Sequence, residues 1–259
     1  MKVYTSLEDF THIDDAVLTL GMFDGVHLAH REILEELKRK ARELEGISVV
    51  FTFSPHPREV LSRKRFPLIT TDREKQELLD DAFVDIWCRV PFTPVFAALS
   101  PEALIDLLHR KMSMRHIVLG YDHNFGHQRK GGIHTLKALK DAYGFGISEV
   151  PQLKVQDIPV SSSAVRDALQ RGDIRQAEAL LGHPYFAFAE DIERKDAHCM
   201  SIRVPAEKML PMPGDYSGHW KQENIQIHIT ENQQILLYFD REAPAAVNLI
   251  QHPIYWKTL

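Results

Sequence analysis

Strand-like and helix-like stretches alternate through the first two thirds of this chain. Residues 17–23 form an apolar run that reads as a buried strand. A charged helix follows over 31–45, with Ile33, Leu34, Leu37 and Leu44 along one side. Residues 47–53 are almost continuously apolar, as expected of a strand whose two faces are both covered. A helix over 71–82 with Asp72 as its N-cap, and a third strand over 84–90, come next. Ser100-Pro101-Glu102-Ala103 opens another helix with a capping serine, a proline at the first helical position and an early acid. Residues 116–120 and 147–150 read as the fourth and fifth strands, separated by a helix over 135–143 that Gly144 ends. Two short helices, 163–170 and 174–181, finish at Gly182. Repeated βα units of this length predict an α/β fold with a doubly wound parallel sheet and ligands at the C-terminal edge of its strands.

Beyond Tyr185 the periodicity falls to two. Residues 226–230 and 235–239 alternate around a turn-like stretch over 231–234 and predict a β-hairpin. Leu210-Pro211-Met212-Pro213-Gly214-Asp215-Tyr216 leads into a further strand. The expected division is a domain over 1–184 and a second, smaller β-barrel-like domain over 185–259. A piece of that size buries only a marginal core on its own, so its apolar face should pack within its own barrel and partly against the first domain.

Composition narrows the partners. With 31 Lys and Arg against 36 Asp and Glu, the net charge of -5 argues against nucleic acid or an anionic membrane. No apolar run is long enough to span a bilayer, and the N-terminus lacks a signal-peptide core. Two cysteines, Cys88 and Cys199, suggest a cytoplasmic, reduced protein without structural disulfides. Of the 14 histidines, His198, His219, His228 and His252 lack paired ligand spacing, so no protein-bound metal is expected. Oligomeric state stays open.

Four motifs carry chemistry. Gly21-Met22-Phe23-Asp24-Gly25-Val26-His27-Leu28-Ala29-His30 joins the first strand to its helix. Its two imidazoles, three residues apart, share a helix face beside free N–H groups that favour anions. Thr52-Phe53-Ser54-Pro55-His56-Pro57 lies where the second strand ends. Gly120-Tyr121-Asp122-His123-Asn124-Phe125-Gly126, with Arg129 and Gly131 after it, ends the fourth strand. There Asp122 supplies an acceptor for a ribose hydroxyl, a base or a magnesium-bound water. Val160-Ser161-Ser162-Ser163-Ala164-Val165-Arg166 opens a helix whose guanidinium suits a triphosphate.

Taken in this order, the motifs resemble those of the nucleotidyltransferase superfamily, and most closely the adenylyltransferase half of the prokaryotic riboflavin kinase/FAD synthetase family. The first is similar to Phe-Asp-Gly-Val-His-x-Gly-His, with Ala29 in place of the usual glycine. The second resembles Phe-Asp-Pro-His-Pro with Ser54 for aspartate, and the third carries His123 where the family has phenylalanine. The last resembles Ile-Ser-Ser-Thr-x-x-Arg. The resemblance implies a Rossmann-like nucleotidyltransferase that moves AMP from ATP to FMN, with Mg2+ accompanying ATP. It makes His27, His30 and Arg166 catalytic. It places ATP against Gly21, Phe23, Asp24, Gly25, Gly120, Asp122, Ser161, Ser162 and Ser163, and the flavin against His56, Pro57, Asn124, Phe125 and Arg129. Asp24 has a structural alternative, holding the glycine turn through backbone hydrogen bonds. The family's kinase half carries Gly-x-Pro-Thr-Ala-Asn, and no Pro-Thr-Ala-Asn follows residue 185. Leu181-Gly182-His183-Pro184-Tyr185 does resemble the start of that kinase barrel, which implies a degenerate kinase remnant without a nucleotide site. Two rival readings are a nucleotidyltransferase with another acceptor and a non-catalytic regulator that binds flavin nucleotides.

Overall fold

A computed structural model describes residues 1–9, 12–245 and 250–257. The chain forms two units. One comprises Met1–Phe23, Ala29–Phe66 and Gln76–Leu153; the other comprises Asp24–Leu28, Pro67–Lys75 and Lys154–Leu259. Among the described residues no helix is long and apolar enough to cross a membrane.

In chain order the first elements are β1 (Lys2–Tyr4), β2 (Ala16–Leu20), α1 (Leu28–Glu43), β3 (Ile47–Ser54), α2 (Pro57–Ser62) and α3 (Asp72–Asp81). Then come β4 (Ile86–Pro91), α4 (Pro94–Ala97), α5 (Pro101–Met112), β5 (His116–Gly120), α6 (Ile133–Tyr143) and β6 (Gly146–Val150). All six strands pair in parallel in the order β1-β4-β3-β2-β5-β6. From β2 the chain winds outward through β3 and β4, then returns to lay β5 and β6 on the other side. Right-handed crossovers therefore put the intervening helices on opposite faces, and the order reverses between β2 and β5. Ala16, Leu18, Leu20, Val49, Phe51, Ile117 and Leu119 alternate onto one face and share a core with Leu104, Ile105 and Leu108 of α5 and Leu136 of α6. This is the expected doubly wound α/β sheet. Its edge strand β1 and the short helices α2 and α4 carry too few residues for the pattern to reveal.

Local chemistry set the helix ends largely as the residues imply. Ser100 caps α5 by accepting from the Ala103 amide, and Gly144 ends α6 in the left-handed region. At α3 the cap is Thr71, and Asp72 is already helical. The Thr71 hydroxyl accepts from the Glu74 amide at 3.4 Å and the Glu74 carboxylate from the Thr71 amide at 2.8 Å, a reciprocal capping box that outcompetes an aspartate one position on.

In the other unit lie the hairpin β7 (Lys154–Val155) and β8 (Ile158–Pro159), then α7 (Ser162–Gln170) and α8 (Ile174–Leu181). Seven antiparallel strands follow: β9 (Phe186–Ala187), β10 (Asp191–Arg194), β11 (Cys199–Arg203), β12 (Gly214–Trp220), β13 (Glu223–Ile229), β14 (Ile235–Phe239) and β15 (Ile254–Lys257). Their order is β10-β11-β14-β13-β12-β15-β9, a half-barrel. The expected hairpin is β13 and β14, with Ile229 opposite Ile235. Ile225, Ile227, Ile229, Ile235, Leu237 and Phe239 are buried on one face, so period-2 alternation places them correctly.

Candidate active-site residues

The turn after β2 is built against its own conformational preference. Phe23 and Val26 have φ of 49° and 39°, a region that non-glycine and especially β-branched residues avoid. Such a backbone persists when its surroundings over-determine it. Gly25, at φ 87°, is required for two reasons: the sign of φ, and the 3.1 Å at which a Cβ there would meet Ile69 and Leu181.

Within one unit, hydrogen bonds clamp this turn from three directions. The buried Asp24 carboxylate accepts from the Thr70 amide at 3.1 Å and pairs with the Arg166 guanidinium of α7. The Thr70 hydroxyl accepts from the Gly25 amide at 2.9 Å. Ser162 donates through its hydroxyl to the Asp24 carbonyl at 2.9 Å, and the His183 Nε2 lies 2.9 Å from the Gly25 carbonyl. Ser161 caps α7 by accepting from the Ala164 amide at 3.2 Å, and Ser163 is exposed. Asp24, Gly25, Ser162 and Arg166 thus come together. Arg166 is 12% and Asp24 2% exposed, so the ion pair is partly withdrawn from water. Thr70 and His183 escaped the sequence reading. The Thr71-x-x-Glu74 capping box was the available signal for the first; His183 lay inside a motif read only as a boundary.

His27 sits directly before α1 and His30 in its first turn. Burial pushes the His27 imidazole down to about 4, against the opposing pull of Asp24, with His183 lowering it further. The His30 ring lies 4.7 Å from that of Phe23.

In the parallel-sheet unit the remaining candidates stand at the C-terminal strand ends. Gly21 follows β2 and Gly120 ends β5, the two strands flanking the reversal of order. His56 caps α2, its Nδ1 accepting from the Arg58 amide at 3.1 Å; Pro57 is the first helical residue, and the His56 ring lies 4.3 Å from that of Phe66. After β5, Asp122, Asn124 and Arg129 are exposed, whereas Phe125 is buried and exchanges two 2.9 Å backbone hydrogen bonds with Gly131. His123 stacks on Phe125 at 6.3 Å. Its Nε2 is shut off from solvent although the residue as a whole is half-buried, and burial pushes the imidazole down to about 4. Among the described residues no group of three or more His, Cys, Asp or Glu is placed to hold a metal ion.

A sequence profile of FAD synthetase matches residues 10–164. Over 173 residues the chain is 39% identical to the bifunctional riboflavin kinase/FMN adenylyltransferase of Bacillus subtilis, a match covering 66% of this chain and 54% of that protein. It thus spans about half the length of that relative. It is 33% identical to a FAD synthetase of Listeria monocytogenes, covering 66% of this chain and 70% of the relative. The bifunctional enzyme of Escherichia coli is 36% identical over 212 residues, covering 79% and 67%. A crystal structure titled as a macrolide-efflux protein from Streptococcus pneumoniae has a TM-score of 0.84 at 21% identity, covering 98% of this chain and 88% of that one. At that identity the likeness concerns the fold alone.

Proposed function

The chain belongs to the FAD synthetase family, and on that premise we propose that it is an FMN adenylyltransferase. An oxygen of the FMN phosphate attacks the α-phosphorus of ATP, the bond to the β-phosphate oxygen breaks, and FAD and pyrophosphate leave. No protein nucleophile is needed; the protein supplies alignment and charge. The observation that carries the reading is the Asp24 to Arg166 ion pair, which joins the first motif to the last across 142 residues of chain. It holds a guanidinium beside the turn that ends in His27, the arrangement a triphosphate requires.

In this reading His27 and His30 stabilise charge that develops on the phosphates, and Arg166 holds the β,γ-phosphates. Asp24 orients Arg166, and Gly21, Phe23 and Gly25 shape the turn. The helix entered by Ser161, Ser162 and Ser163 offers backbone N–H groups to the anion. His27 is held neutral before substrate arrives, and the charge of bound triphosphate would raise its proton affinity. Gly120 and Asp122 serve the nucleotide, while His56, Pro57, Asn124, Phe125 and Arg129 border the flavin. Magnesium would come with ATP. Mg2+ needs one or two carboxylates beside phosphate oxygens and water, and exposed Asp122 fits that part. Bound there, it would offset triphosphate charge.

Residues 185–259 are read as a degenerate kinase-like domain, so the same preparation should not phosphorylate riboflavin. Pure protein with ATP and magnesium, given FMN or riboflavin and followed by separation of the flavins, tests both halves. FAD should form from FMN, and riboflavin should persist. No FAD from FMN would overturn the first half; FMN appearing from riboflavin at a comparable rate would overturn the second.

A further inference from the structure

Lys208 lies before β12 and is one of the most buried side chains in the chain, with 1% of its surface exposed. Its three ammonium protons have three protein acceptors: the Ile69 carbonyl at 2.7 Å, the Phe186 carbonyl at 2.7 Å and the Glu74 carboxylate at 2.8 Å. Glu74 is completely buried, and its carboxylate also accepts from the Thr71 amide. The backbone on either side of Lys208 grips the same segment. The Leu68 amide donates to the Glu207 carbonyl at 2.7 Å, and the Met209 amide donates to the Leu68 carbonyl at 2.7 Å. Directly after Ile69 stands Thr70, which holds both the Asp24 carboxylate and the Gly25 amide. A continuous relay therefore runs from Lys208 through Ile69 and Thr70 to Asp24, and from Asp24 to Arg166, entirely within one unit.

We propose that Lys208 is a positioning residue for adenylyl transfer, fixing the segment that sets Asp24 and thereby aiming Arg166. This role rests on the function proposed above. A lysine used only to fill space would leave its ammonium in water; this one gives two of its three protons to Ile69 and Glu74 of the segment that orients the phosphate-binding arginine, and the third to Phe186. Consequently a chain ending near Tyr185 retains all four motifs yet lacks the residue that holds one of them in register. Self-sufficiency of the first 184 residues, the natural expectation from motif positions, is what the relay argues against.

The experiment compares wild type with Lys208→Met and with Lys208→Met/Glu74→Gln, the second removing the buried charge that could unfold the first. Residue-resolved amide exchange should show the Thr70 and Gly25 amides losing protection by about tenfold or more, with the amides paired between β12 and β13 unchanged. FAD formation should lose about ten- to a hundredfold in kcat, the scale of a small misplacement at a reacting centre, even where the double substitution has restored the melting temperature. Lys208→Met should cost less in an Asp24→Ala background, because the carboxylate through which the relay reaches Arg166 is already gone there. Undisturbed protection at Thr70 and Gly25 in the folded double variant would overturn the proposal, as would an equal kinetic cost in both backgrounds. If wild type makes no FAD, the adenylyltransferase reading fails by itself, and the exchange data still decide whether the relay exists.

Discussion

The Asp24 turn and the Gly120 loop are both glycine-containing junctions that leave a strand of the parallel sheet, yet they are finished in opposite ways. In the first, the carboxylate, a backbone amide and two backbone carbonyls are each held by a side chain or amide from Thr70, Ser162, Arg166 or His183. In the second, Asp122, Asn124 and Arg129 present exposed polar groups, and the main internal tie is the Phe125 to Gly131 pairing. On the function proposed above, the difference follows the chemistry each junction would serve. Charge develops on the phosphates during reaction, and donors that must not reorganise at that moment have to be fixed beforehand. Groups that recognise a base, a ribose or a flavin need only meet their partners on binding, and water can hold them until then.

That contrast can be broken by kinetics. At the clamp, His27→Ala, His30→Ala and Arg166→Met should each lower kcat by about 10²–10³ with a smaller change in the ATP requirement. Arg166→Met should also lower stability by about 3–5 kcal/mol by leaving Asp24 buried without its cation. Steady-state rates and denaturant titration check both, and a variant that only raised KM would remove the distinction between the two junctions. At the loop, Asp122→Asn should instead raise the KM for ATP by about tenfold with kcat nearly kept, as expected for one hydrogen bond to a charged group made equally in ground and transition states.

A separate test concerns pH and reads stability, not rate. Burial pushes the His27 and His123 imidazoles down to about 4 from their ordinary 6.5. Between those limits the unfolded chain binds protons that the folded chain does not, so stability falls as pH drops from about 6.5 towards 4. Denaturant midpoints measured across that window should show the loss. His123→Phe, which installs the residue typical of the family, should make the slope shallower without changing its sign, whereas an unaltered slope would mean that His123 is not held neutral by the fold.

Much of this was legible in the residues. Strong periodicity located β2, β3, β5, β13 and β14 to within a few positions, because burial on one face or both dictates which side chains a strand can carry. Ser100 and Gly144 announced their caps because those interactions are local, spanning three or four residues. Thr71 was passed over for Asp72 since both are good caps, and only the reciprocal bond with Glu74 separates them. Strand β1 and the half-barrel strands β9, β10 and β11 were not visible, being two to five residues long and defined by their partners more than by their own composition.

The sequence by itself determined the alternating α/β order, the apolar face of the second region and the identity of the motif residues, since periodicity and short-range chemistry require nothing distant. Tertiary structure alone decided what Asp24 does. Its carboxylate could have closed its own turn, but folding brought Thr70 and Arg166 to it from 46 and 142 residues away. It likewise decided that Lys208, silent in any local pattern, would stand behind that turn. A hydrogen bond between distant residues leaves no period in a sequence; it exists only once the chain has folded and a buried donor must find the one acceptor within reach.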